Sequence, residues 1–468
     1  MAFLIGGANS AADTGYDIAN SCRFNDDDSP YMHFTPGAAG NRKTMTFSFW
    51  FKKGQHTASN TAFFGQYNSA NENNSLIQID GSDQLAIWDY SASAYRMNLR
   101  TTKLFRDHSA WYHICIAIDT TQGTDTDKVK IYVNGTQQTS FATAVYPSLN
   151  LDLNINVDKA QQIGVQRFAS TSVYHWDGYL AEFFFIDGTA LAPTAFGEFN
   201  EDSPTIWQPI DCKDDLTFGT NGYYLDFEDS DNLGDDESGN TNDFTESGIT
   251  AADQATDSPT NNFCTMNPLV GSTAHTFSEG NCKIVSSGSD TRGGGVGTFG
   301  LTAGKWYWEV KLGSLIANHT HGVVSELTTE LYAAGGATSL NLDTGATTWR
   351  NDDGGEVVID GTVTTADYGI MAEDSIMGIA LDMDNHNISY YDDGSALVTD
   401  LNISTTRGVI FPLMSSGISC TAEVNFGGCS SFAVSSAAND ANGHGVFEHA
   451  PPSGYLALCS KNLGSTGG

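Results

Sequence analysis

The strongest constraint on the fold of this chain is a hairpin phrase written twice, once from residue 111 and again from residue 376. At 111–135, WYHICIAIDTTQGTDTDKVKIYVNG, the residues Ile114, Ile116 and Ile118 alternate with His113, Cys115 and Ala117. A period of two sends successive side chains to opposite faces of a strand, one of them toward a core. Asp119 closes the run, and after a polar stretch at 120–127, Val129, Ile131 and Val133 alternate with Lys128, Lys130 and Tyr132 up to Asn134-Gly135. Asn-Gly supplies the positive φ angles of a tight hairpin turn. The second copy, IMGIALDMDNHNISYYDDG, has Met377, Ile379 and Leu381, a shorter turn at 382–387, then a strand at 388–391 and Asp393-Gly394. Two all-β domains, each with such a hairpin near its middle, are therefore expected.

The same alternation recurs elsewhere. Met45, Phe47, Phe49 and Phe51 alternate with Thr44, Thr46, Ser48 and Trp50, and shorter strand-like runs at 62–66, 76–80, 85–90 and 95–99 end at Gly, Asn, Ser or Asp. No helical period of useful length lies between them. WDGYLAEFFFID at 176–187 is nearly continuous in apolar residues, as in a strand inside a sandwich, and GTALAPTAFGEF at 188–199 is the one short helix-like stretch. KWYWEVK at 305–311 sets Trp306, Trp308 and Val310 against Tyr307, Glu309 and Lys311. The predicted fold class is all-β, with two antiparallel β-sandwich domains. An N-terminal arm at 1–20 precedes the first domain at 21–200; an irregular acidic linker at 201–262, the second domain at 263–450 and a docking or packing tail at 451–468 follow.

Charge narrows the function. The formal net charge is −35, from 56 acidic and 21 basic residues. Nucleic acid demands Lys/Arg patches, so this balance argues against it, and equally against anionic membrane surfaces. A solvated acidic coat that keeps the protein soluble accounts for it. The eight cysteines, at 22, 115, 212, 264, 282, 420, 429 and 459, form no C-x-x-C pair, which leaves no local zinc ribbon or redox motif. The opening MAFLIGGANS has no basic region and only a short apolar run, so it reads as neither a secretory signal nor a membrane span. Folding in a reducing compartment, without membrane insertion, is expected.

The ordered phrases CRFNDDDSPYMHF, TMTFSFWFKKG, LIQIDGSDQLAIW, WYHICIAID, VKIYVNG, QQIG and WDGYLAEFFFIDGTAL resemble the laminin-G-like members of the concanavalin A-like lectin/glucanase superfamily. The resemblance covers residues 21–200 and implies a jelly-roll sandwich of two antiparallel sheets. YYLDFEDSDN and DESGNTNDF at 223–244 also resemble the opening phrase of such a domain. In the second half KWYWEVK, DSIMGIALDMDNHNISYYDDG, GVIFPLMSSG and AEVNFGG resemble, in that order, the SPRY family. That resemblance covers residues 270–430 and implies a bent β-sandwich that binds proteins through loops at one end.

No motif carries catalysis. Glycoside hydrolysis needs two carboxyl groups about 5–9.5 Å apart, and the E-x-D-x-x-E pattern of the laminarinase-like branch is missing. Glu182 and Asp187 lie too far apart along one strand to act together, so Glu182 reads as a lone, paired or solvent-facing residue. G-x-S-x-G, H-E-x-x-H and G-x-x-x-x-G-K do not occur. The glycine-rich stretch at 291–300 follows no clear strand and opens no helix, so it reads as a turn. Asn25, Asp26, Asp27 and Asp28 offer hard oxygens to Ca2+ without the spacing of a dedicated loop. The run at 229–242 lacks the flanking helices and closing glutamate of an EF-hand. His319 and His321 have no third ligand nearby in the sequence. No cofactor and no metal are expected.

The two resemblances, with the acidic surface and no signal segment, together resemble proteins of tailed bacteriophages of aquatic hosts. What that implies is a non-enzymatic virion appendage, a tail or head fibre, folded in the host cytoplasm and working on the virion. Its partners would be other virion proteins and a host-surface glycan or other receptor, with a homo-oligomer as the expected state. The alternative is a structural decoration or connector protein with protein contacts only; a glycan hydrolase comes third. Ligand contacts belong to loops at the sandwich ends, which are free to vary. The candidates in the first domain are Trp88, Tyr90 and Tyr95 around DYSASAY, and Tyr174 and His175 before the last strand. In the second domain they are His319, His321, Tyr332, Trp349 and Arg350, in or next to diverged loops.

Overall fold

The computed structural model describes residues 4–5, 15–54, 59–69, 73–168, 171–271, 275–286, 294–314, 319–326, 345–351, 354–364, 366–405, 408–416 and 420–465. They form two compact units, one of residues 12–260 and one of residues 261–468 with 1–11. Both are built of antiparallel sheets, and helix is confined to short turns, Asp125–Lys128 and Ser460–Ser465 being the α-helical ones among the described residues.

In the first unit, one sheet runs in the order Thr136–Gln137, Val129–Val133, Trp111–Asp119, Thr44–Lys53, Gly178–Asp187, Ser21–Phe24 and Gln254–Ala255, with Tyr223–Leu225 also paired to Gly178–Asp187. The facing sheet runs Phe141–Val145, Ala94–Leu104, Gln84–Ser91, Asn73–Ile79, Thr61–Ser69, Gln161–Ile163, Tyr31–Phe34 and Thr245–Ser247. Met45, Phe47, Phe49 and Phe51 enter one core with Ile114, Ile116 and Ile118 from the first sheet and Phe64, Ile77, Ile87 and Leu99 from the second. The period-two pattern thus predicts the inward face correctly. The repeated hairpin also forms as written: Val129 pairs with Ile118 and Val133 with Ile114, and Asn134 and Gly135 turn the chain with φ of 46° and 70°.

Of residues 201–262, expected as an irregular linker, 201–260 belong to the first unit. Tyr223–Leu225, Thr245–Ser247 and Gln254–Ala255 pair with its two sheets. The physical reason lies on the back of the first sheet, where Cys115, Phe184 and Ile186 point away from the main core. There they meet Phe196, Cys212, Phe218 and Tyr224 in a second apolar cluster. The stretch at 188–199 is not a helix beyond the single 3-10 turn Pro193–Ala195, after which Gly197–Phe199 pairs with Trp207–Pro209.

In the second unit, Lys305–Leu312 is central to one sheet, paired to Ile376–Asp382 and Thr421–Asn425. Trp306, Trp308 and Val310 face the core. Tyr307 faces a smaller cluster made with Phe263, Phe447, and Ala457 and Cys459 of the tail. The opposite sheet is centred on Ile410–Ser416 and His319–Ser325. Leu4–Ile5, in the expected N-terminal arm, pairs with Phe299–Gly300 of this unit.

Candidate functional site

Strand parity decides which way the first group of candidates points. Ile87 faces the core of the first unit, so Trp88 and, two residues on, Tyr90 face outward. A register shift between Asp89 and Tyr90 sets Tyr95 opposite Tyr90 across the hairpin. The Tyr90 and Tyr95 rings lie 5.2 Å apart at 72° and those of Trp88 and Tyr95 lie 5.8 Å apart at 80°. Such edge-to-face contacts are favourable and hold the rings as one group, with Tyr95 49% exposed. Beneath them Asp89 fixes the hairpin end: it accepts from Ser75 Oγ at 2.6 Å and from the Asn154 N–H at 2.6 Å, and pairs with Arg96 at 2.5 Å. Burial raises the Asp89 carboxyl above its ordinary range, and these partners hold it down.

The outward face beside this group carries buried amides. Asn98 pairs with Trp88 in the ladder, and Gln78 lies on the same face as Trp88, because Ile77 and Ile79 point inward. Asn98 Oδ1, Gln78 Oε1 and both amide atoms of Gln166 are buried with no hydrogen-bond partner among the described residues. Each such group costs about 1–3 kcal/mol, a cost that ordered water or a hydroxyl-bearing ligand offsets.

The same end of the sandwich holds a pocket. Thr44 pairs with Asp119, and Asp187 with Met45, so the start of one strand and the ends of two others meet there. Residues 154–156 link this edge to the aromatic hairpin. Asn154 Nδ2 donates to the Tyr90 carbonyl at 3.1 Å, and Asn156 Nδ2 to Asp187 Oδ1 at 2.7 Å. Loops at 37–41, 187–188, 219–221 and 240–242 enclose about 750 Å³. Asp187 binds them together, accepting also from the Asn41 and Asn221 N–H groups at 2.8 and 3.2 Å. A Cβ at Gly40 would stand 2.4 Å from Asn156 Nδ2, and one at Gly219, whose φ is +73°, 2.2 Å from the Asp187 carbonyl. Only glycine permits walls this close. No sequence signal marks this pocket, since Asn221, Asn240 and Asn242 lie in the expected linker among residues dense in Asn, Asp and Gly.

The other candidates lie elsewhere. Tyr174 and His175 stand at the opposite end of the first unit, where the Ala62 N–H binds the Tyr174 carbonyl and Gly178 pairs with Lys53. Tyr174 is 40% exposed, and His175 Nδ1 lies 3.1 Å from the Pro30 carbonyl. In the second unit His319 and His321 lie in the paired strand His319–Ser325 instead of a loop, and Trp349 and Arg350, expected in or next to a loop, lie in the paired strand Ala346–Arg350. Trp349 is fully buried in the core. Arg350 is also buried, with Glu356 at 3.8 Å. His319 and His321 are fully buried, His319 Nδ1 lying 3.0 Å from His321 Nε2 and His319 Nε2 3.0 Å from Cys420 Sγ. Burial lowers His319 to about 4 and raises Cys420 to about 12, which makes a neutral, internal set at pH 7. Tyr332 lies outside the described residues.

Glu182, read as lone, paired or solvent-facing, is buried at a register shift of its strand with φ +51°. The Tyr224 hydroxyl donates to it at 2.7 Å and Tyr16 at 3.3 Å. Its partners are phenols rather than a second carboxyl group. Among the described residues no group of three His, Cys, Asp or Glu side chains is placed to hold a metal ion, and no helix is long and apolar enough to cross a membrane.

Residues 26–194 match the family described as the concanavalin A-like lectin/glucanases superfamily, of laminin-G type, and residues 305–429 match the SPRY domain. No curated protein matches the chain. Among solved structures it is similar to the SPRY domain of human HERC1, at 15% identity over 36% of this chain and 99% of that one, with a TM-score of 0.29. A SAP-like pentraxin from Limulus polyphemus matches at 16% identity over 38% and 80% of the two chains, with a TM-score of 0.27. A candidate carbohydrate binding protein from Bacteroides ovatus matches at 17% identity over 50% and 60%, with a TM-score of 0.34. The lectin-like laminin-G type of the first match and the SPRY type of the second suggest binding.

Proposed function

We propose that this protein is a non-enzymatic virion appendage whose first domain binds a neutral host-surface glycan through the outward face around Trp88, Tyr90 and Tyr95. One observation carries the reading: an exposed edge-to-face aromatic group adjoins buried amides that have no partner among the described residues. Sugar rings offer C–H faces to aromatic rings and hydroxyls to amides, which suits both halves of this surface. The charge of −35 favours an uncharged glycan over a sulfated or uronate-rich one. The second domain, in which Trp349, His319 and His321 are internal, serves contacts with other virion proteins, and a homo-oligomer would multiply weak sugar contacts by avidity.

The test is adsorption of the purified protein to host cells and to a glycan array. Replacing Tyr90 and Tyr95 by Ala together should lower binding at least tenfold with an unchanged melting profile. Tyr174→Ala, at the opposite end, should leave binding intact. Unchanged binding by the double variant would replace this reading with that of a structural connector.

A further inference from the structure

The pocket at the aromatic end of the first unit differs in chemistry from the surface beside it. Among the described residues its walls hold no aromatic ring, no lysine and no arginine. Three of its four asparagines spend their side-chain nitrogens on the walls themselves: Asn240 Nδ2 donates to the Gly219 and Gly222 carbonyls at 2.7 and 2.9 Å, and Asn242 Nδ2 to those of Thr220 and Gly222 at 3.1 and 2.8 Å. Asn221 Nδ2 is likewise committed, to the Ala38 carbonyl at 2.9 Å. With those nitrogens committed to the loops, the Asp187 side chain and the amide oxygens weight the lining toward acceptors, beside the Thr220 hydroxyl and the Asn41 amide. A lining with an acidic side chain and no cation among the described residues disfavours phosphate, sulfate and carboxylate groups, which need positive charge. It accepts hydrogen bonds from hydroxyl groups. Its volume lies within the range of small-molecule sites, and cross-bracing by Asp187 preforms it, which lowers the ordering cost of binding.

The neighbourhood extends the argument. Residues 154 and 156, which brace the hairpin and the pocket respectively, are two steps apart in the chain, at most about 7 Å. A ligand that reaches both surfaces is therefore a short chain of linked units. We infer that the pocket is a second subsite, taking the terminal unit of an uncharged oligosaccharide whose following units lie on Tyr90 and Tyr95. The inference rests on the glycan reading of the hairpin, and adds an end-specific site to it.

Gly37 gives a clean probe, because it lines the pocket, a Cβ there meets nothing within 4 Å and its φ is not positive. Gly37→Trp adds an indole at a lining position whose first side-chain atom meets no wall. Binding of the full chain is measured against neutral oligosaccharides, in parallel with sulfated and uronate ones and with and without EDTA. Gly37→Trp should weaken binding of neutral oligosaccharides at least tenfold, and capping their terminal hydroxyls should abolish the difference between wild type and variant. If Gly37→Trp binds within twofold of wild type while the Tyr90/Tyr95 double variant does not bind, the pocket is no subsite and the hairpin reading stands alone. If wild type binds no neutral oligosaccharide, both readings fall together. Loss of wild-type binding in EDTA would make the pocket a cation site and overturn direct contact with sugar.

Discussion

Glu182 shows how far one residue departs from what its position in a strand suggests. It sits in an apolar run, in a conformation with positive φ that costs about 1–2 kcal/mol for an L-residue, and both hydroxyl groups near it donate to it. Burial, the largest cause, raises its carboxyl from an ordinary 4.5 to about 8, and the nearby Asp226 and Glu228 push in the same direction. Because the folded value lies above the unfolded one, the native state keeps a proton that the unfolded chain loses. Stability from this group is complete below the ordinary carboxyl range, declines as pH rises toward 8 and levels off above it, with a slope of up to about 1.4 kcal/mol per pH unit. Glu182→Gln should remove this slope, so that the variant gains on wild type between pH 5 and 8 in urea denaturation. A constant difference between the two proteins across that window would show that Glu182 does not keep its proton.

Elements whose information is local were the ones legible in the chain. Each copy of the hairpin carries its own alternation and its own turn, and Asn134-Gly135 and Asp393-Gly394 both adopt positive φ at two successive residues. Gly135 has a second duty invisible at that range: a Cβ there would meet the Trp207 ring at 2.2 Å. Trp207 Nε1 donates to His113 Nδ1 at 3.0 Å, and His113 Nε2 lies 2.8 Å from Ser48 Oγ, so a residue 72 positions on locks the turn to the sheet. Gly135→Ala should therefore cost roughly 2–5 kcal/mol, from left-handed backbone strain and overpacking. Gly123→Ala, whose Cβ meets nothing, should stay within about 0.5 kcal/mol; equal effects in thermal melts would refute the Trp207 contact. The aromatic group was legible for the same reason as the hairpins, since Trp88, Tyr90 and Tyr95 share one turn. The pocket was not, because it is assembled from loops spread over two hundred residues and lined by residues that read singly as solvated. His319 and His321 were misplaced because polar residues at strand ends look like loop residues, whereas their parity with Val323 turns them inward.

At the scale of the molecule, the decisive feature is where the first folding unit stops. The resemblance ends near residue 200, yet three later strands complete both sheets, and two buried ion pairs are anchored beyond it. Lys52 Nζ lies 2.6 Å from Asp257 Oδ2, each side chain 1% exposed, and Trp111 Nε1 donates to the other oxygen at 3.0 Å. Arg23 pairs with Asp253 at 3.0 Å. Removing one partner of a buried pair costs about 3–5 kcal/mol, because it strands the other charge. Two such losses, with the uncovering of Phe184 and Ile186 on the back of the sheet, match or exceed the roughly 5–15 kcal/mol by which a domain is stable. A fragment of residues 12–260 should therefore unfold cooperatively in urea and retain a near-ultraviolet circular dichroism signal. A fragment of residues 21–200, the unit that hairpins and family phrases delimit, should show neither and should bind a hydrophobic dye. Lys52→Met with Asp257→Leu in the longer fragment separates the causes, since replacing both members of a buried pair by apolar residues is far milder than leaving one. If the short fragment unfolds cooperatively within about 2 kcal/mol of the long one, the residues after 200 are an appendage, and the pocket they wall would not depend on the fold of the sandwich.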